Sequence, residues 1–289
     1  MFERLIRRAK VVIEALPYLM EFHGKVIVIK YGGSAMHDPE LKKSVLRDIV
    51  FLKYVGMHPV IVHGGGPDIT KALKRRKIPS IFVKGLRVTT KEIMRVVEYV
   101  LGKKVNREIV SIIKKSGGKA KGFYGKKGKV IKAKKQWVKD KEGKYVDLGF
   151  TGMVDGIRYR FLNKWMKKGY IPVLSPIGVG RGGKIYNINA DSAAAAVAAF
   201  LNAEKLILLT NVHGVLGKDG KLVSEVNAYR TQKMIKQKVI SGGMIPKVKC
   251  GLYALRKGVE KVHIIDGQIP HALLLELFTD TGIGTMVVK

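Results

Sequence analysis

The sequence is short of acid, of cysteine and of long apolar runs, and each shortage removes a class of protein. One cysteine, Cys250, stands among 289 residues, so neither an internal disulfide nor a cysteine-ligated metal site is available. No apolar run approaches the roughly 18 residues that a membrane-spanning helix needs. The opening FERLIRRAKVVIEALPYLM is an interrupted amphipathic pattern, lacking the apolar core and small-residue cleavage site of a secretory signal. These absences predict a cytoplasmic protein with no membrane partner. The pattern G-x-x-x-x-G-K-[ST] is missing, which excludes a P-loop NTPase. No G-x-G-x-x-G follows the first strand-like run, which argues against a dinucleotide-binding fold of that kind. No fixed-period repeat or low-complexity linker divides the chain.

Acid is the scarcest commodity. Fifty-five Lys and Arg face 22 Asp and Glu, leaving +33, a balance that favours polyanions or an anionic substrate. Thirteen lysines and two acids fall between Lys114 and Lys144, with Phe123, Tyr124 and Trp137 among them. Aromatics between lysines can mark single-strand nucleic-acid binding. GKVIKAKKQWV and DKEGK nevertheless read better as the strands and turn of solvated hairpins. The excess also runs along the whole chain, so no specific nucleic-acid partner is expected.

What is present is a core and an alternation. Hydrophobic residues make up 46% of the chain, too many for disorder. Strand-like runs (KVIVIKYGG, HPVIVHGGG, YIPVLSPIGV, EKLILLTNVHGV, VEKVHIIDG) alternate with helix-like segments such as LKKSVLRDIVFLKYVG and NADSAAAAVAAFLNA. That order predicts βαβ units and a mainly parallel sheet covered on both faces. Ligands of such sheets bind beyond the carboxyl ends of the strands, where the glycines of KYGG and HGGG fall. Residues 1–23 read as an extra amphipathic helix, interrupted by Pro17, whose apolar face needs a partner such as another subunit.

Several residues could carry chemistry. Gly32 and Gly33, with Gly64, Gly65 and Gly66, form two strand-terminal turns whose amides can cradle an anion. Lys30 ends a run of β-branched residues, either to reach water or to serve a site. Asp191 precedes an alanine run and fits a helix cap or a first-turn acid. Asn187 and Asn189, on alternate residues, point the same way if extended. Lys247 falls at a helix start, and Arg87 offers a planar fork for a carboxylate.

KYGGSAM, VIVHGGGPDI, GLRVTT, YNINADSAAA, LILLTNVHGVL and GGMIPKV occur in the order and spacing of the N-acetyl-L-glutamate kinases of the amino-acid kinase superfamily. The chain resembles that family over essentially its whole length. The resemblance implies a three-layer αβα sandwich around a mainly parallel eight-stranded sheet, with a kinked N-terminal helix. It implies an oligomerisation helix at 1–23, an amino-acid-binding lobe at 24–202 and an ATP-binding lobe at 203–289. The activity implied is phosphorylation of the side-chain carboxylate of N-acetyl-L-glutamate by ATP with Mg2+, in arginine biosynthesis, with no metal held by the protein itself. Carried over by motif, Lys30 and Lys247 stabilise the transition state and Asp191 orients them. Gly65, Gly66, Arg87, Asn187 and Asn189 bind the acceptor, while Gly32, Gly33, Thr210, Asn211, Gly214 and Gly243 serve ATP. EALPYLMEF and HALLLELFTDTGIGTM are similar to the arginine-inhibited hexameric branch. That makes His271, Glu276 and Gly284 candidates for binding L-arginine, and a homo-oligomer (dimer or hexamer) the expected assembly.

The chain departs from the family at three places. Asn211 stands where an aspartate is usual, GFYGKKG lacks an acid after Gly-Lys, and VLGKKVN moves the glycine of VLVGKVN. Rival readings are a kinase for acetylated or carrier-linked aminoadipate, one methylene longer, or a catalytically weakened basic variant of the fold. A non-catalytic basic scaffold, indifferent to Lys30→Ala, is the rival from another class.

Overall fold

In β1 (Val26–Tyr31) four β-branched residues in succession favour an extended backbone, and all but Val26 of the strand is buried. β2 (His58–His63) pairs with it in parallel from Val26↔His58 to Tyr31↔His63. The hairpin β3 (Phe82–Val83) and β4 (Leu86–Arg87) follows, then β5 (Ala120–Phe123). The lysine-rich segment forms β6 (Ile131–Lys139) and β7 (Tyr145–Ile157), before β8 (Ile171–Leu174), β9 (Ile177–Val179) and β10 (Ile185–Ile188). β11 (Lys205–Thr210), β12 (Glu225–Val226), β13 (Lys261–Asp266) and β14 (Thr285–Val287) complete the strands. This computed structural model describes residues 2–140 and 142–289.

Eight strands make one sheet in the order β12-β14-β13-β11-β1-β2-β8-β5, parallel except at β13–β14. The chain leaves β1 for β2 on one side and reaches β11 on the other, so the carboxyl end of β1 is a topological switch point. The expected mainly parallel sheet is the one observed.

The pleat of β1 divides two cores. Ile27, Ile29 and Tyr31 pack with the helix Pro39–Tyr54, whereas Val28 packs with the alanine-rich helix Ala190–Phe200. Successive side chains alternate faces, so Lys30 lies on the side of Val28 and of that helix. Ala193 to Ala198 are all buried, and their small side chains let the helix come close to the sheet.

β6, β7, β9 and β10 close into a small sheet of their own. The expected hairpin is present, and Asp140 Oδ1 accepts from the amides of Glu142 and Lys144 at its turn. Lys135 lies over the Trp137 ring at 4.6 Å and Lys139 over Tyr145 at 5.1 Å. The hairpin's own lysines therefore engage these aromatic rings.

The N-terminal helix is broken at Ala15 into Phe2–Glu14 and Leu16–Phe22, with Pro17 in the first turn of the second piece, where a missing N–H is tolerated. Phe2, Leu5, Ile6, Val11, Val12, Ile13 and Met20 are exposed along it.

Candidate active site

Lys30 does not reach for water; it is 8% exposed and Asp191 is 7% exposed. Asn189 caps the helix Ala190–Phe200 by accepting from the Ser192 amide at 3.0 Å, which leaves Asp191 as the first-turn acid above the Lys30 side of β1. Lys30 Nζ is 3.1 Å from Asp191 Oδ1. The helix Met244–Arg256 brings Lys247 in its first turn to Asp191 Oδ2 at 2.8 Å. One carboxylate thus bridges two ammonium groups. Burial pushes the Asp191 carboxyl up, but Lys30 and Lys247 together outweigh it and hold the group below the usual carboxylate range. Burial lowers the Lys30 pKa, with Lys247 adding to that and Asp191 opposing it.

Gly32 is where it is because of Lys30. A Cβ there would stand 2.7 Å from Lys30 Nζ, pressing on the ammonium itself. Gly33 has φ +81°, and a Cβ would overlap the Asn211 side-chain oxygen. The unusual Asn211 is thus packed on the first glycine turn.

A cavity of about 270 Å³ opens beside the bridge, lined by Lys30, Asp191, both glycine turns, Arg87, Asn187 and Asn189. Gly65 caps the helix Gly66–Arg75, whose N-terminal amides suit an anion. Arg87 Nη2 donates to Thr70 Oγ1 at 2.9 Å and to the Gly66 carbonyl at 3.3 Å, Nη1 donates to Ser80 Oγ, and the guanidinium stacks on Phe82 at 4.5 Å. The hydroxyls of Thr89 and Thr151 donate to the Arg87 carbonyl at 2.9 and 2.6 Å, and Asn187 Nδ2 donates to Thr89 Oγ1 at 3.3 Å. Thr151 carries no local signal for this role, because it meets Arg87 only across 64 residues of chain, whereas Thr89 and Phe82 lie within five residues of Arg87. The cavity also has an apolar wall of Ile69, Leu86, Leu101 and Pro176, which suits an acyl group.

Thr210, Asn211, Gly214 and Gly243 do not line this cavity. Thr210 ends β11, and its carbonyl accepts from Gly267 at 2.9 Å. Gly243 precedes the helix that carries Lys247. Gly214 is packed against β14, a Cβ there falling 2.6 Å from Thr285 Oγ1.

A second cavity, of about 540 Å³, lies between the N-terminal helix and the C-terminal segment, lined by Tyr18, Lys205, His263, Glu276, Asp280 and Gly284 among others. Glu276 pairs with His263 Nδ1 and accepts from the amides of Ile283 and Gly284 at 2.7 and 3.2 Å. His271, expected beside Glu276, is not brought there. Its Nδ1 pairs with Asp48 at 2.7 Å. His271 lies before the helix Ala272–Leu277, in a left-handed conformation at φ +57°, so helical spacing does not carry its side chain toward Glu276, and His263 from β13 pairs with Glu276 instead. The signal for His263 was a lone polar residue within the apolar run VHII.

The departures in VLGKKVN and GFYGKKG meet in the structure. Glu98–Val105 is π-helical, and a Cβ on Gly102 within it would lie 2.5 Å from the Tyr124 ring. The displaced glycine makes room for the tyrosine of GFYGKKG.

A sheet of this order, with lysines and glycine turns at its switch point, defines the class. The amino acid kinase family profile matches residues 25–266, and the chain belongs to that family. Within it the full-length relatives are acetylglutamate kinases. The chain is 52% identical to acetylglutamate kinase of Geobacter sp. (strain M21) over 289 residues, 99% of each chain. It is 49% identical to that of Syntrophus aciditrophicus (strain SB) over 291 residues, 99% of this chain and 98% of the other. The structure also superposes on N-acetylglutamate synthase from Neisseria gonorrhoeae, solved with coenzyme A and N-acetyl-glutamate, with TM-score 0.87 and 25% identity over 97% of this chain and 63% of that one.

Proposed function

We propose that this chain transfers the terminal phosphoryl group of ATP to the side-chain carboxylate of N-acetyl-L-glutamate. The observation that carries the reading is the Lys30–Asp191–Lys247 bridge beside a glycine-lined cavity that also holds Arg87. A carboxylate oxygen attacks the terminal phosphorus while the bond to the bridging oxygen breaks, giving an acyl phosphate and ADP. The acceptor is already ionised at neutral pH, so no general base is required. The obstacle is repulsion between two anions, and two fixed ammonium groups with converging amides answer it electrostatically. Asp191 keeps the ammoniums in place before substrates arrive.

In this reading Gly65, Gly66, Arg87, Asn187 and Asn189 hold the acceptor, while Gly32, Gly33, Thr210, Asn211, Gly214 and Gly243 serve ATP. Residues 24–202 form the acceptor lobe and 203–289 the nucleotide lobe, with Asp191 of the first gripping Lys247 of the second. Mg2+ arrives on the nucleotide phosphates; no cluster of three or more His, Cys, Asp or Glu side chains able to hold a metal occurs among the described residues. The second cavity suits L-arginine as inhibitor, with carboxylates at Glu276 and Asp280 for a guanidinium and cations at Lys205 and Lys261 for a carboxylate. Tyr18 and Phe22 of the N-terminal helix line the same cavity. We assign that helix's exposed apolar face to other copies of the chain in a homohexamer, and the enzyme to the cytoplasm.

The test is acyl-phosphate formation, trapped as hydroxamate, with MgATP and N-acetyl-L-glutamate at moderate salt. Product is expected from the wild type, with a fall of about 10²–10³ in rate for Lys30→Ala and inhibition by added arginine. A folded wild type that forms no product overturns the reading. Faster turnover of the acetylated aminoadipate would reassign the acceptor.

A further inference from the structure

His63, at the carboxyl end of β2, is fully buried, and the phosphoryl transfer makes no use of it. Its ring Nδ1 lies 2.7 Å from the Gly64 carbonyl oxygen, and Nε2 lies 3.2 Å from Asn106 Nδ2. The same amide nitrogen donates to the Val173 carbonyl at 3.0 Å. A carbonyl only accepts, so that bond fixes which end of the Asn106 amide faces His63. Nε2 must therefore accept, and the ring proton sits on Nδ1, donating to Gly64. Burial holds the ring pKa down at about 4, so the neutral form persists through the physiological range.

The consequence passes through one peptide plane. In a trans peptide the N–H points opposite the C=O. Holding the Gly64 carbonyl toward His63 turns the Gly65 N–H the other way. The near side of the turn is pinned as well, since the Gly64 N–H donates to the Tyr31 carbonyl at 2.7 Å. Gly65 has φ +144°, a conformation that only glycine adopts freely, and a Cβ there would stand 2.5 Å from Leu101. The residue that must be glycine is thus also the one least constrained by its own backbone.

We propose that His63, held in its Nδ1-protonated form by Asn106, is the positioning residue of the Gly64–Gly66 turn and thereby sets affinity for the acceptor. The inference rests on the reading that Gly65 and Gly66 hold N-acetyl-L-glutamate. Two variants separate positioning from packing: His63→Asn puts an amide N–H near the place of Nδ1, and His63→Leu fills the space without a donor. In initial-rate kinetics His63→Leu is expected to raise KM for N-acetyl-L-glutamate by about tenfold, the worth of one lost hydrogen bond. KM for ATP should stay within about twofold, and His63→Asn should recover most of the loss. Long-range 1H–15N NMR on histidine-labelled wild type should show the proton on Nδ1. A proton on Nε2, an equal rise in both KM values, or His63→Asn no better than His63→Leu at equal folded fraction overturns the proposal. A wild type without kinase activity would fail the functional reading instead. The tautomer, and the Gly65 amide resonance in the two variants, would still decide the positioning claim.

Discussion

Asp191 gives each of its oxygens to a different lysine, and its charge governs both. Replacing it by asparagine keeps the shape but leaves two ammonium groups facing each other with no counter-ion. Lys30 already has a lowered pKa, chiefly from burial and despite Asp191. A lysine in that state loses its proton at lower pH than an ordinary one near 10.4. The pH profile of kcat/KM, which reports the free enzyme, should therefore fall on an alkaline limb that starts below the ordinary lysine range. In Asp191→Asn the limb should move to lower pH still, with kcat down by about 10²–10³. An unmoved limb would remove Lys30 from the chemistry.

At the level of the element, the strand β1 and the turn after it act together. Gly32→Ala places a methyl 2.7 Å from Lys30 Nζ and 3.0 Å from Cε, and the flexible lysine end is the part that gives way. The expected result is a fall in kcat of about tenfold, the equivalent of 1.4 kcal/mol, with an unchanged unfolding midpoint. A lowered midpoint with normal kcat per folded molecule would make Gly32 a folding residue only. Elements such as β1, β2 and β13 are legible in the sequence because short runs rich in β-branched residues and bounded by glycines favour strands, and β11 because its short apolar run has strand length. So was Asp191 as a cap or first-turn acid, since the alanine run after it could be little but helix. The π-helical stretch Glu98–Val105 was not legible: the ring that packs on its Gly102, that of Tyr124, lies 22 residues further along. Nor was the closure of β6, β7, β9 and β10, which depends on pairings that no local pattern encodes. His271 and Glu276 are effector candidates through family resemblance, and the pairing of Glu276 with His263 of β13 rather than with His271 depends on a tertiary contact that no local pattern encodes.

For the molecule as a whole, buried neutral histidines set the response to acid. His63 has a folded pKa of about 4 against about 6.5 when unfolded. As pH falls through that window the unfolded chain takes up a proton that the folded chain refuses, so stability falls. The loss amounts to roughly 3 kcal/mol between pH 6.5 and 4. His263, lowered chiefly by burial, adds in the same direction. Urea unfolding should show a lower midpoint at about pH 5 than at about pH 7.5, and His63→Asn should flatten the slope. A midpoint that holds steady between those two pH values would mean that His63 opens to solvent.

Lys30 owes its place to the two-residue pleat of β1, so the reactive ammonium is keyed to odd and even. The surplus of +33 is carried largely by lysines outside the bridge, where exchange for neutral residues leaves the Asp191 contacts intact. A slip of β1 by one residue is another matter. It would carry the ammonium into the layer of Ile27 and Ile29 and leave Asp191 across the sheet from it. Descendants of this chain are free to drift in charge but locked in parity.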